Sequence, residues 1–142
     1  MGMEWFLTKD PGWTALHEAS SQGDSTKITS LLAEGANVQA RDEDGRTPLH
    51  LASQCGHVTA IDLLLDAGAD INAIDADGRT PLHFAARYDG VDSVLALLRR
   101  GADATIMDRR KRFTAEDTCR ARGAYSTAEV IHEYACSTSR GR

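Results

Sequence analysis

Asp44-Gly45-Arg46-Thr47-Pro48-Leu49-His50 recurs 33 residues later as Asp77-Gly78-Arg79-Thr80-Pro81-Leu82-His83. The same interval backwards reaches Gly12-Trp13-Thr14-Ala15-Leu16-His17. Forwards it reaches Lys111-Arg112-Phe113-Thr114-Ala115-Glu116, where the motif has decayed. A second landmark keeps the period: Leu31-Leu32, Leu64-Leu65, Leu97-Leu98 and Val130-Ile131 fall in step. So do Gly35-Ala36-Asn37, Gly68-Ala69-Asp70 and Gly101-Ala102-Asp103. Two landmarks on one period are the mark of a repeat array, in which each unit is one supersecondary element. Asp42, Asp75 and Asp108 share the lattice and set units at 9–41, 42–74, 75–107 and 108–140.

Unit two shows why these residues make one structural element. Thr47 suits a helix N-cap, since its hydroxyl accepts from an unpaired N–H of the first turn. Pro48 follows at the first helical position, where its missing N–H costs nothing. Leu49 and Ala52 share one face, and Gly56-His57 ends this short helix. Val58, Ile61, Leu64 and Leu65 then have the spacing of an apolar stripe on a second helix. Gly68 is placed as its left-handed cap, and Asp77-Gly78 reads as a tight turn before the next unit. A helix pair of this kind cannot bury its apolar face alone, so neighbours must stack. Small residues at Ala52, Ala85 and Ala86 let the helices approach closely.

Thr-Pro-Leu-His at this spacing, with Leu-Leu-x-x-Gly-Ala-Asp later in the unit, resembles the ankyrin repeat. The resemblance covers nearly the whole chain and is weakest in the fourth unit. It implies an all-α solenoid of stacked helix-turn-helix units with protruding β-turn or hairpin loops. It also implies that His17, His50 and His83 bond the backbone near the turns. Leu64 with Asp70-Ile71-Asn72 resembles the asparagine-hydroxylation pattern of some ankyrin repeats; hydrogen bonding within the turn is the favoured role for Asn72.

Terminal units face solvent on one side and are expected to differ. Trp5, Phe6 and Leu7, in a capping segment at 1–8, can cover the first unit. In the fourth, Phe113 stands in the 33-residue frame where Thr47 and Thr80 stand, Glu116 replaces the histidine, and Tyr134 replaces the glycine. This unit, 108–136, reads as a degenerate cap with a second helix at about 126–136, followed by a disordered tail at 137–142. The inter-helix glycine is irregular: Gly90 and Gly123 lie one place later than Gly23 and Gly56 imply.

Of 142 residues, 42% are hydrophobic and 26% charged, but only 6% aromatic, so aliphatic residues and alanine must build the core. No apolar run approaches the roughly 18 residues of a membrane span, and no secretory signal is visible at the start. Three widely spaced cysteines, Cys55, Cys119 and Cys136, disfavour a disulfide framework and fit a reducing compartment. The expectation is a monomeric cytoplasmic protein, with nuclear location as an extension. Residues 1–98 carry a balance of −9 and residues 99–142 a balance of +4, an acidic body with a basic end.

Chemistry is hard to find in this pattern. Three histidines on adjacent stacked helices stand roughly 10 Å apart, too far to share an ion whose nitrogen ligands sit at about 2 Å. His132-Glu133 and His17-Glu18 each lack the second histidine of a zinc-protease motif, since Cys136 and Ser21 occupy those places. No phosphate loop or nucleophile elbow is present. The expectation is therefore no enzyme, no metal and no cofactor. The run Arg109-Arg110-Lys111-Arg112, with Arg120 and Arg122 beyond, offers a basic surface for an acidic protein, a phosphate or nucleic acid, or else a nuclear import signal. Nucleic acid is the disfavoured partner, because the run is short and Asp108, Glu116 and Asp117 dilute it.

The resemblance implies that partners bind the turn tips and inner helices. Carried onto this chain, the tip positions are Asp10, Trp13, Glu43, Asp44, Arg46, Asp77, Arg79, Arg109 and Arg112. The inner-helix positions are Gln22, Gln54, Arg87, Tyr88 and Arg120, with Ser21 and Cys55 beside them. Trp13 has a second option, folding back to seal the first unit. The function this implies is a protein-protein interaction module, as a small intracellular adaptor, scaffold or inhibitor. The alternatives are a targeting fragment of a larger protein, or a binder of anionic ligands through the basic repeat.

Overall fold

The computed structural model describes residues 12–88 and 90–140, without the side chains of 139 and 140. Among these residues there are eight helices and no strand. They form four antiparallel pairs: α1 (Ala15–Gln22) with α2 (Ser25–Ala33), α3 (Pro48–Cys55) with α4 (Val58–Asp66), α5 (Pro81–Arg87) with α6 (Val91–Arg99), and α7 (Ala115–Ala121) with α8 (Tyr125–Arg140). Odd-numbered helices pack on one another along the stack, and even-numbered helices form a second layer behind them. The core lies between the layers. Leu16, Leu49 and Leu82 recur in it from the inner helices, and Ile28, Ile61, Leu64, Val94, Leu97 and Ile131 come from the outer ones. Ala19, Ala52 and Ala85 are fully buried where successive inner helices meet. The expected cap at Trp5, Phe6 and Leu7 lies outside the described residues.

Threonine and histidine build each junction. Thr14, Thr47 and Thr80 occupy the N-caps of α1, α3 and α5 with extended backbone. Their backbone N–H groups donate to Nδ1 of His17, His50 and His83 at 3.1, 3.0 and 3.1 Å. Since Nδ1 accepts, Nε2 carries the hydrogen, and it donates to the carbonyls of Arg46, Arg79 and Phe113 at 2.9, 2.9 and 2.8 Å. Each of these carbonyls belongs to the next unit, immediately before its own N-cap threonine. One imidazole thus fixes a helix start and ties it to the following repeat.

The tips are organised the same way twice. Asp42 Oδ1 accepts from the N–H groups of Asp44 and Arg46, and its Oδ2 accepts from Arg46 Nε at 2.7 Å. Asp75 does the same with Asp77 and Arg79. Backbone bonds from Ala76 to Asp44 and from Arg109 to Asp77 lace successive tips together. Gly78 has φ 76° and sits against the neighbouring tip, where a Cβ would lie 2.7 Å from Arg109 Cγ. Behind the helices, Gln39 Oε1 accepts from Asp70 N, and Asn72, one repeat on, accepts from Asp103 N at 2.9 Å.

The fourth unit departs from the 33-residue frame by one residue. Asp42 and Asp75 pair with carbonyls four residues on, but Asp108 N donates to the carbonyl of Phe113, five residues on. The extra residue sits in the tip. Thr114, not Phe113, is therefore the N-cap of α7. Asp117, not Glu116, takes the histidine position, its carboxylate accepting from Thr114 N at 3.0 Å. Ile131 follows in the place of Leu97, and Ala135, not Tyr134, in the place of Gly101. Tyr134 packs against the core instead. No glycine stops α8 there, so it runs beyond the expected end at 136 into the segment read as a tail, with Thr138 Oγ1 donating to Tyr134 O. Gly90 is the N-cap of α6 with negative φ, whereas Gly123 takes the left-handed position.

Two outcomes follow for stability. Burial pushes His50 down from 6.5 to about 4, and His83 shifts the same way for the same cause. The native site holds the neutral ring while the unfolded chain takes up a proton below 6.5. The stabilisation is complete above about pH 6.5 and is lost as pH falls toward 4, with His50 alone costing about 2 kcal/mol at pH 5. Chemical denaturation at pH 7 and pH 5 measures this, and a His50→Asn variant flattens the slope; equal stability at both values refutes it. Separately, the buried Ser20 hydroxyl has no hydrogen-bond partner, and the same position in unit three is Ala86. Ser20→Ala is expected to raise stability by about 1 kcal/mol, removing an unpaired buried polar group.

Candidate functional site

The tips and the inner helices share one side of the stack, and two adjoining grooves cross it there. The first, about 360 Å³, lies between units two and three and is bounded by Asp44, Arg46, Gln54, Asp77, Phe84 and Tyr88. The second, about 510 Å³, lies between units three and four and is bounded by Arg110, Lys111, Phe113, Thr118 and Arg122. Arg79, His83 and Arg87 form the ridge between them.

Their charge differs. In the first groove the carboxylates are matched within the groove: Arg46 reaches Asp44 at 3.4 Å and Arg79 reaches Asp77 at 3.1 Å. In the second, Asp108 is the sole carboxylate among the lining residues. Partial burial opposes its ionisation, but hydrogen bonds from the N–H groups of Lys111 and Phe113 outweigh that and hold its carboxyl below the ordinary value. Aromatic rings line both grooves, each with a cation over it: Arg79 over Phe84, Arg87 over Tyr88 and Lys111 over Phe113, at 5.2, 5.8 and 5.7 Å from the ring centres.

The expected binding residues are dispersed unevenly across this surface. Asp44, Arg46, Gln54, Asp77, Arg79, Arg87 and Tyr88 border the grooves, and Tyr88 is 51% exposed. Arg46 and Arg79 also hold their own turns together through Asp42 and Asp75. Trp13 folds back: its ring stacks on His17 and its Nε1 donates to Glu18 at 2.9 Å. Gln22 donates to Glu18 as well. Glu43, Arg109 and Arg112 are exposed but border neither groove, and Arg120 is paired with Glu116 along α7. Asp10 lies outside the described residues.

Arg110, Lys111, Arg122 and Phe113 were absent from the expected binding set, although the basic run itself was plain in the sequence. A strict 33-residue step aligns Arg112 with Arg79. The inserted residue puts Phe113 in that place and turns Lys111 into the groove. Arg112 instead takes the left-handed conformation that Gly45 and Gly78 supply in earlier tips, with φ 61°, the one positive φ at a non-glycine among the described residues.

No group of three or more His, Cys, Asp or Glu side chains among the described residues is arranged to hold a metal ion. No helix of the described residues is long and apolar enough to cross a membrane. Cys55 and Cys136 are exposed thiols and Cys119 is buried, all unbridged. Residues 16–108 match the family model described as ankyrin repeats, in three copies, ending at the aspartate where the fourth tip begins to deviate. A comparison with the curated proteins finds no match.

Left-handed backbone at Arg112 costs roughly 1–2 kcal/mol, which glycine avoids at a smaller entropic loss. Arg112→Gly is expected to raise the melting temperature by about 3 °C. A fall on calorimetric scanning shows that the arginine side chain compensates for its backbone.

Proposed function

The chain belongs to the ankyrin-repeat family, and on that premise we propose that it holds a partner protein along the grooved side made by its tips and inner helices. Repeats of this family generally serve as protein-protein interaction modules and are typically non-enzymatic. The observation that carries the reading is the pair of contiguous grooves, with half-exposed Tyr88 and the arginine ridge between them. Tyrosine and arginine are the types that anchor interfaces. The stack beneath is preformed, since every unit is bonded to the next through backbone carbonyls, so little ordering cost falls on binding.

A small monomeric adaptor, scaffold or inhibitor of cytoplasmic location fits this reading. Its work is positional: it presents a fixed surface that blocks or places the protein it holds.

The test compares two double variants of the immobilised chain. Gln54→Ala/Tyr88→Ala alters the grooved side, and Lys27→Ala/Glu129→Ala alters the outer helices. Partners captured by the wild type are identified, and their affinities are measured by interferometry after circular dichroism confirms the fold. The grooved-side variant is expected to weaken binding about tenfold. Partners that respond only to the outer variant move the binding surface to the other face.

A further inference from the structure

The second groove differs from the first in the balance of its charge. It is walled by Arg79, Arg87, Arg110, Lys111 and Arg122 against Asp108 alone. Asp108 is engaged by backbone N–H groups of its own turn. Arg79 is bound to Asp75 and Asp77. Among the described residues, no carboxylate lies within ion-pair distance of Arg87, Arg110, Lys111 or Arg122, whereas Arg46, Arg79, Arg100 and Arg120 each have at least one. Four unpaired cations around one concavity repel one another, and the arrangement becomes favourable when an anion enters.

Resting on the reading of the chain as a protein-binding module, we propose that the groove between units three and four is the docking site for a carboxylate-rich segment of the partner protein. Arginine forks match carboxylates in two-point geometry, and three of the four unpaired cations are arginines. A space of about 510 Å³ takes a short stretch of chain. Two observations favour a peptide over nucleic acid. Phe113, the phenyl ring lining the groove, is partly buried and has Lys111 over it, which disfavours base stacking there. The body of the chain, residues 1–98, carries a balance of −9, which repels a long polyanion leaving the groove but tolerates a short acidic segment.

The fourth tip is built for this. Units two and three carry Glu43-Asp44 and Ala76-Asp77 at their tips; the enlarged fourth carries Arg109-Arg110-Lys111-Arg112. The extra residue brings Arg110 and Lys111 to the groove wall.

The experiment uses fluorescence anisotropy with three labelled probes on the full chain in about 0.1 M salt, where the screening length is about 10 Å. The probes are an octapeptide rich in glutamate, the same peptide with glutamine, and a single-stranded RNA octamer. The glutamate peptide is expected to bind, the glutamine peptide at least tenfold more weakly, and the RNA more weakly than the glutamate peptide. Arg87→Glu/Lys111→Glu is expected to weaken the glutamate peptide at least tenfold. Lys27→Glu/Arg99→Glu, which changes the net charge equally away from the groove, is expected to change it less than threefold. Equal weakening by both variants, failure of the wild type to bind the glutamate peptide below about 1 mM, or tighter binding of the RNA overturns the proposal. If the peptide fails while Gln54→Ala/Tyr88→Ala still releases captured partners, the protein-binding reading stands and only the acidic-segment inference falls.

Discussion

A neutral imidazole placed between two repeats is the interaction on which the rest of this molecule depends. His50 receives a backbone N–H from its own unit on one nitrogen and donates to a carbonyl of the next unit from the other. Both partners are backbone, so the bridge fixes the path of the chain as well as the position of a side chain. Where helix α3 begins is thereby coupled to where the following tip ends. His17 and His83 repeat the arrangement. The ring is buried, and a backbone group left unpaired there would cost far more than one bond is worth. A protonated ring cannot accept at Nδ1, so the geometry and the lowered basicity of His50 are one fact seen twice.

The fourth unit shows what changes when the bridge is absent. Asp117 replaces histidine and still caps its helix, accepting from Thr114 N. A carboxylate does this local task as well as an imidazole, but it has no hydrogen to donate across a junction. The fourth tip still receives the bond from His83, at the carbonyl of Phe113. Its backbone is anchored where the earlier tips are, and the inserted residue is pushed outward among its cations. Arg112 bears the conformational cost that glycine avoids elsewhere.

Most of the architecture was legible because its determinants are periodic. The Thr-Pro-Leu-His box, the paired leucines and the glycines that follow them recur at fixed intervals. Leu49, Leu64, Leu82 and Leu97 are all buried where that spacing puts them. What failed was a step of one residue. A decayed repeat has too few landmarks to reveal an insertion, so Phe113 was aligned with Thr80 and Glu116 with His83, one place out. The extension of α8 was missed because tail composition says little where neither glycine nor proline intervenes. The groove was harder still. Trp13 has the right chemistry for an exposed anchor, yet its ring lies on His17. Whether an arginine reaches outward or holds its own turn, as Arg46 and Arg79 do, depends on a buried aspartate four residues earlier. That dependence is visible in hindsight as the Asp-x-x-Gly-Arg spacing.

Among the described residues, helices pack chiefly on their partners and on the helices of adjacent units. Opening α7 and α8 therefore breaks a single junction, while opening a middle pair breaks two. The larger groove straddles that junction, with one wall on each side of it. Any occupant held by both walls must be released before the terminal pair can peel away. Resistance of the terminal helices to protease attack is thus coupled to occupancy. Residues that held an occupant there would also act as a latch on α7 and α8.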